Sequence, residues 1–488
     1  MGALAIPAIT AIRPAKTRSL RNIKMRHDHD SLGNIDVPDD VYWGASTARA
    51  LRNFPISGVP IAHHRHLLTG FAMVKTAAAR ANARLGKLDP DIARAIEAAA
   101  GEIIAGQWHE QFPIDVIQGG AGTSTNMNFN EVLANRALEI LGHQRGEYQF
   151  VHPNDHVNLS QSTNDAYPSA VRLAVILAQE SLSLALDGLA TSFERKSYEF
   201  AEVVKLGRTE MQDAVPMTLG QEFGAFAATV REDILRLAET SKLLTEINLG
   251  GTAIGTRINA DPAYGPLAIE ELSVISRIDF SQSANLLEAS WDMGAFVMFS
   301  GVLKRIATKL SKIANDLRLL SSGPRGGFGE IALAPMQPGS SIMPGKVNPV
   351  IPEMVSLVCY QVIGHDLAIT LAAEGGQLQL NAFEPLIAHN TLDSVSLLCN
   401  CVNVFATLCI DGIRANPENC LKHLEASTAT VTALVPYLGY ERASSLAKAA
   451  LATGRTVREL AAEALPGADL DKILDAKSLV GDILKARV

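Results

Sequence analysis

The chain has 488 residues, of which 47% are hydrophobic and 19% charged, with a formal net charge of −8; that length fits two to four domains and that apolar content a large core. Its 43 lysines and arginines are spread along the chain rather than massed in a stripe, which excludes the electrostatic footprint of a nucleic-acid-binding surface. No uninterrupted apolar run reaches the roughly 18 residues of a membrane span, since even Gly294 to Ala307 is broken by Lys304 and Arg305, so no membrane association is expected.

The first 27 residues hold Arg13, Lys16, Arg18, Arg21, Lys24 and Arg26 and no acid. This composition is compatible with an organelle transit peptide, but a biased tail specifies targeting poorly, and residues 1–25 are read as a disordered extension with Met25 as a candidate start. Residues 26–160 form a mixed, mostly helical segment, in which helical patterns at Phe71 to Leu85 and Asp91 to Ala105 alternate with Gly, Pro and Asn clusters. Within it, the run His27, Asp28, His29, Asp30 and the cluster His63, His64, His66 contain ligand-type residues, but their spacing fits no common zinc pattern. Neither a metal nor a cofactor is expected.

From 161 to 417 the apolar residues recur at three- and four-residue spacing over long distances. Phe223, Phe226, Val230, Ile234, Leu237, Leu244 and Ile247 mark one stripe, and Phe296, Phe299, Leu303, Ile306, Leu310, Ile313, Leu317 and Leu320 another, each an amphipathic helix. Similar patterns run from Ala166 to about Lys205, with a possible break at Gly188, and over Glu353 to Glu374 and Pro385 to Ile413. A helix of about 28 residues extends roughly 42 Å, and five such rods pack most economically side by side. The fold class is therefore mainly α, built on a long central helical bundle. A single bundle this rich in small and apolar residues would expose apolar faces to water, so a homo-oligomer is expected.

Residues 418–488 make a small helical tail, with a Gly-Tyr turn at Gly439 and a capping-box pattern at Thr456 to Glu459. Five cysteines, Cys359, Cys399, Cys401, Cys409 and Cys420, lie in or near helical patterns and form no Cys-x-x-Cys pair. They read as buried, reduced thiols of a cytoplasmic protein.

Four polar stretches interrupt the helices: QGGAGTSTNMNFNE (Gln118 to Glu131), HPNDHVNLSQSTNDAYP (His152 to Pro168), GRTEMQDAVPMT (Gly207 to Thr218) and GSSIMPGKVNP (Gly339 to Pro349). Helix capping and turn formation would account for any one of them. Together they hold an inventory of neutral donors, Thr123, Ser124, Thr125, Asn126, Ser162, Thr163, Asn164, Thr209, Ser340, Ser341 and Asn348, plus the cation Lys346. Such a set suits a small polycarboxylate. The last stretch is no Walker A loop, because Val347 rather than Ser or Thr follows Gly-Lys, and no nucleophile elbow surrounds Ser340.

These four loops resemble the aspartase/fumarase superfamily, over nearly the whole chain from about Arg26, and GSSIMPGKVNP matches its signature loop throughout. Within the superfamily the aspartase branch is the nearer, through QGGAGTSTNMN, GHQRGEYQ (Gly142 to Gln149), QSTNDAYP, DAVPMTLGQEF (Asp213 to Phe223), NDLRLLSSGPR (Asn315 to Arg325) and GQLQLN (Gly376 to Asn381), whereas HPNDHVN has a fumarase character. The resemblance implies a three-domain protomer whose bundles join in a homotetramer, each active site drawing loops from three subunits. It further implies reversible anti elimination from a succinate derivative through an aci-carboxylate dianion, giving fumarate and, in the aspartase branch, ammonia.

Carried over by motif position, Ser340 would be the base, and Thr123, Ser162, Thr163 and Ser341 would grip the reacting carboxylate. Lys346 and Asn348, with Thr209 beside them, would hold the other carboxylate, and Asn164 would lie near the amino group. One position departs from the pattern: after GRT this chain has Glu210, where fumarases carry a histidine and aspartases a histidine or glutamine. The position usually paired with that histidine in fumarases is Glu353. Two facing carboxylates would share a proton or hold a cation, and the alternatives are a simple Glu-for-Gln exchange or a site for another cationic amine, such as the betaine ergothioneine. Fumarate hydratase is the third reading, weakened most by the missing histidine.

Overall fold

The computed structural model describes residues 24–475 and 480; the extension expected over 1–25 lies outside them up to residue 23. Met25 itself opens a hairpin of β1 (Met25–Asp30) and β2 (Gly33–Pro38), paired antiparallel from Met25↔Pro38 to Asp30↔Gly33. Strand alternation turns His27 and His29 outward and buries Asp28, whose carboxylate accepts from Tyr148 Oη at 2.9 Å.

Four helices follow: α1 (Ala45–Asn53), α2 (Arg65–Arg84), α3 (Pro90–Ile104) and α4 (Thr123–Ile140). The expected patterns at Phe71 and Asp91 fall inside α2 and α3. Asp89 caps α3 by accepting from the Asp91 and Ile92 backbone, and Pro90 occupies the first turn, where its missing N–H is no loss. Phe129 of α4 packs between Phe71 and Phe112, at centroid distances of 4.5 and 4.3 Å.

The bundle begins with α5 (Thr163–Glu199), 37 residues and roughly 55 Å long. It runs unbroken through Gly188: that residue faces solvent while Leu186 and Leu189 beside it are buried, and packing outweighs the roughly 1 kcal/mol a helical glycine costs. It ends at Glu199, short of the expected Lys205, because the chain turns at Phe200 into β3 (Val204–Thr209), which pairs antiparallel with β4 (Gln212–Thr218). A reciprocal Thr218–Gln221 capping box starts α6 (Leu219–Ser241). Leu244 and Ile247, placed by periodicity on that helix, lie beyond its end in a 3-10 turn and a short strand, still buried.

After α7 (Tyr264–Ser276), three long helices complete the bundle: α8 (Gly294–Leu320), α9 (Val350–Glu374) and α10 (Glu384–Leu408). Their directions alternate. Asn248, past the end of α6, donates to Asn164 O at the start of α5; Asp366, late in α9, accepts from Ser300, early in α8; and Lys196, near the end of α5, reaches Ile413 O just past α10. The bundle therefore has a first end, holding the start of α5, and a second end, holding the β3–β4 hairpin and the segment between α8 and α9.

Three helical segments, Thr163–Glu199, Val350–Glu374 and Glu384–Gly412, are long and apolar enough to cross a membrane by length and composition. This departs from the sequence expectation, because averaging over a helical window tolerates the single charges that break a contiguous run. All three pack in the one bundle, and α9 leaves Leu357, Tyr360, Leu367 and Leu371 exposed along one side.

Beyond the bundle, α11 (Pro417–Ala426), α12 (Val435–Leu438), α13 (Tyr440–Thr453) and α14 (Val457–Ala464) follow. Leu434, Ala443, Leu446, Val457 and Ala461 form a small separate core there. Gly439 takes φ +74°, and the Thr456–Glu459 capping box is present. All five cysteines are free thiols, four buried and Cys399 half-buried; burial pushes Cys359, Cys401, Cys409 and Cys420 up to about 12.

The second end is locked by Glu330, fully buried, whose carboxylate lies 2.7 Å from Arg208 Nη2, 3.1 Å from Lys205 Nζ and 3.0 Å from His423 Nδ1. Burial alone would raise this carboxyl; the Arg208 hydrogen bond, Lys205 and His423 outweigh it and hold the carboxyl below its ordinary value. A lowered carboxylate contributes stability that is full above its unfolded pKa and lost as pH falls through the folded one. Glu330→Gln strands Arg208 and leaves Lys205 with Glu222 as its one carboxylate among the described residues, and is expected to cost about 3 kcal/mol, read as a lower unfolding midpoint at neutral pH that narrows toward wild type on acidification.

Candidate active site

At the first end, the backbone at Gly120, Ala121 and Gly122 takes three consecutive positive φ angles, +93°, +55° and +86°. Gly122 is required by contact as well as by φ, because a Cβ there would come within 2.3 Å of the Tyr167 ring. The turn delivers Thr123, exposed, as the first residue of α4, with no side chain capping the helix. Next to it starts α5, capped by Ser162, which accepts from Asn164 N at 3.2 Å while Asp165 accepts from Ser162 N at 3.0 Å. Capping therefore explains part of Ser162, though its O–H is left free to donate. Asn126 Nδ2 donates to Thr163 Oγ1 at 3.2 Å and ties the two helix starts together, and Asn164 Nδ2 donates to Ala253 O at 2.7 Å. Two helix N-termini then converge with exposed or half-buried hydroxyls, an arrangement that favours an anion.

Beneath this face lies a residue that belongs to none of the four polar motifs. Lys75 of α2 is 0% exposed and donates to Asn126 Oδ1 at 2.7 Å, Gln161 Oε1 at 2.8 Å and Asn158 Oδ1 at 3.1 Å. Burial pushes its ammonium down to about 7, against the pull of Asp165, itself pushed up by burial to about 6. The available signal was a lone lysine in the apolar run FAMVKTAAA, Phe71 to Ala79.

At the second end, Thr209 and Glu210 occupy the exposed tip of the β3–β4 hairpin, where Glu210 and Met211 take φ +53° and +63°, the positive pair of a type I′ turn. The GSSIMPGKVNP loop leads into α9. It is pinched shut by Gly339 N to Lys346 O at 2.7 Å and Asn348 Nδ2 to Gly339 O at 2.9 Å; a Cβ at Gly339 would sit 2.8 Å from Lys346 O. Within the loop, Ser340 Oγ accepts from the backbone of Ile342 at 3.2 Å and Met343 at 3.0 Å. Ser341 and Lys346 are exposed, and Ser340, Gly345 and Lys346 border an open hollow of about 410 Å³. Two N–H donors on a hydroxyl oxygen, with an ammonium in the same loop, are the elements that stabilise an alkoxide.

Glu353 lies in the first turn of α9, half-buried. Among the described residues neither it nor Glu210 has a side-chain hydrogen-bond or ion-pair partner, so the expected carboxylate pair is not made within one chain. The structure thus brings together Thr123, Ser162, Thr163 and Asn164 at one end and holds Thr209, Glu210, Ser340, Ser341, Lys346, Asn348 and Glu353 at the other, roughly 55 Å away along α5. As for the histidine cluster, His64 Nε2 meets His389 Nδ1 at 2.8 Å and His63 lies 3.7 Å from Asp393. Among the described residues no group of three or more His, Cys, Asp or Glu side chains is placed to hold a metal ion.

A family model described as lyase matches residues 33–364, and one described as fumarase C C-terminus matches 431–481. The chain is 57% identical to the aspartate ammonia-lyase of Pseudomonas aeruginosa, over 94% of this chain and 95% of that protein, and 48% identical to that of Escherichia coli, over 95% and 98%. In three dimensions it is similar to fumarate lyase:delta crystallin from Brucella melitensis bound to cobalt, at a TM-score of 0.92 and 59% identity, covering 94% of this chain and 100% of that one. It is also similar to the class II fumarase of Schistosoma mansoni, at 0.89 and 35% identity, covering 93% and 99%. With both the polar loops and the long bundle accounted for, the chain belongs to the aspartase/fumarase superfamily of lyases.

Proposed function

We propose that the protein removes ammonia from L-aspartate reversibly, giving fumarate. The observation that carries the chemistry is the Ser340 hydroxyl, which accepts two backbone N–H groups in a glycine-rich loop that also holds Lys346. The aspartate ammonia-lyases at 48% and 57% identity support the choice of substrate.

Ser340, as alkoxide, takes a proton from the carbon beside one carboxylate, and the electron pair of the broken C–H bond moves into that carboxylate to form the aci dianion. Thr123, Ser162, Thr163 and Ser341 stabilise the added charge, an oxyanion-hole role in which donors strengthen as charge develops. Lys346, Asn348 and Thr209 hold the other carboxylate, and Asn164 sits by the amine. When the dianion collapses, the C–N bond breaks on the opposite face and ammonia leaves. A proton and an amine move with no net redox change, so the reaction itself calls for no electron-transfer cofactor.

The same reading requires association. Residues assigned to one site lie at opposite ends of a roughly 55 Å helix, and the exposed apolar side of α9 offers a surface for a second copy. A homotetramer with antiparallel bundles brings the first end of one subunit against the second ends of others, and each site draws on three subunits. The apolar helices then belong to the tetramer core rather than to a membrane, and the free thiols fit a cytoplasmic enzyme. The second reading, a lyase for a bulkier cationic amine, rests on Glu210 and would pair it with Glu353 across a subunit boundary.

Purified protein given L-aspartate is expected to release fumarate, followed by ultraviolet absorbance, and ammonia in equal amounts; silence with L-aspartate and turnover of ergothioneine would favour the second reading. Ser340→Ala is expected to lower kcat by at least about 10⁴-fold with an unchanged elution volume on gel filtration, and normal turnover would remove Ser340 as the base. Ser340→Ala and Thr163→Val subunits, each strongly impaired but measurable alone, are expected to recover up to about a quarter of wild-type activity when refolded together, because a closed symmetric assembly gives some sites both intact halves. A site contained in one chain would recover nothing.

A further inference from the structure

The buried lysine under the first end has an unusual set of partners. Lys196 and Lys205 are also buried, but each meets a carboxylate, Glu199 at 2.8 Å for the first and Glu222 at 2.7 Å for the second. Lys75 meets three amide oxygens instead. An ammonium has three N–H donors and no acceptor, so these three bonds use all of them, and each amide must turn its oxygen toward Lys75 and its NH2 away.

That orientation propagates. Gln161 Nε2 donates to Val157 O at 2.9 Å and Leu159 O at 3.2 Å, which fastens the loop directly before α5. Asn126 Nδ2 donates to Asn158 Oδ1 at 3.1 Å and to Thr163 Oγ1 at 3.2 Å. Because Thr163 Oγ1 accepts from Asn126, the hydroxyl proton is directed elsewhere, toward a ligand. With no cation at position 75, Asn126 could turn over and present its oxygen, and Thr163 would then spend its proton on Asn126.

We propose that Lys75 is a positioning residue: it sets the direction of the relay from Lys75 through Asn126 to Thr163, so that Thr163 accepts from Asn126 and donates into the site, and never spends its proton on Asn126. The inference rests on the reading that Thr163 binds the reacting carboxylate and adds what makes Thr163 a donor. It distinguishes Lys75 from a lysine that only fills space, because its effect passes through one named hydroxyl.

The test is a set of double-mutant cycles on kcat/KM for L-aspartate. Lys75→Met is expected to lower kcat/KM by about 100-fold, close to the loss of one oxyanion donor, and to cost little more when Thr163→Val is already present. Combined with Thr209→Val, which acts on the other carboxylate, the two losses should multiply. Should Lys75→Met fail to fold, Asn126→Asp serves: it keeps an oxygen on Lys75 but cannot donate to Thr163. This variant is expected to retain its melting temperature and to lose activity in the wild-type background but not in the Thr163→Val background. A loss that persists in the Thr163→Val background, from charge repulsion or loosened structure, overturns the relay. If Thr163→Val alone leaves turnover intact, the carboxylate assignment fails and the inference with it; if Thr163→Val is impaired but multiplies with Lys75→Met, the relay alone fails.

Discussion

The length of one helix governs the rest of this molecule. α5 begins beside the hydroxyls of Thr123, Ser162 and Thr163 and ends next to the hairpin that carries Thr209 and Glu210, so nothing within a chain can bring the two sets into one site. A bundle of this length leaves apolar flanks and two separated sets of donors, and the antiparallel association proposed above would answer both. The exposed side of α9, with Leu357, Leu367 and Leu371, is costly for a monomer and useful for an assembly.

Each end is held rigid by a buried charge, and the two use different physics. At the second end Glu330 is surrounded by Arg208, Lys205 and His423, and opposite charges in close contact overcome the desolvation of a carboxylate. At the first end Lys75 has no carboxylate in contact among the described residues, and neutral amide dipoles carry the load, which leaves its ammonium depressed by burial. A network of dipoles has a direction as well as a strength, since each amide can turn over. That makes the first end the place where hydroxyl protons are aimed, and the Glu330 end the place where a strand pair is simply fixed in position.

Much of this was legible because helical period is a local property. The Phe296 to Leu320 stripe matches α8 from end to end, and Thr456–Glu459 is a working capping box. What failed was non-local. The β3–β4 hairpin carries no turn signature in the sequence, because its turn uses Glu210 and Met211 at positive φ in place of the Asn-Gly or Asp-Gly pair that advertises a type I′ turn. Gly188 looked like a break, but whether a glycine ends a helix depends on what its neighbours Leu186 and Leu189 pack against. The donor residues of the loops could be named from the motifs, whereas Lys75 could not, since its partners are about 50 to 86 residues away in sequence and only the folded chain aligns three amide oxygens on one ammonium.

The division of the site also bears on how a serine can act as a base. In a single chain the GSSIMPGKVNP loop faces water, with Ser341 and Lys346 exposed, and in water a hydroxyl gains little from two N–H donors that solvent can replace. The same donors act far more strongly once a neighbouring subunit excludes solvent, because electrostatic interactions grow as the local dielectric falls. Assembly would then supply the carboxylate-binding half of the site and, in the same step, the dry surroundings in which Ser340 can lose its proton. On that proposal, separating the base from the anion-binding hydroxyls along a rigid helix would couple reactivity to quaternary structure, and would leave the isolated chain with a serine that is only a serine.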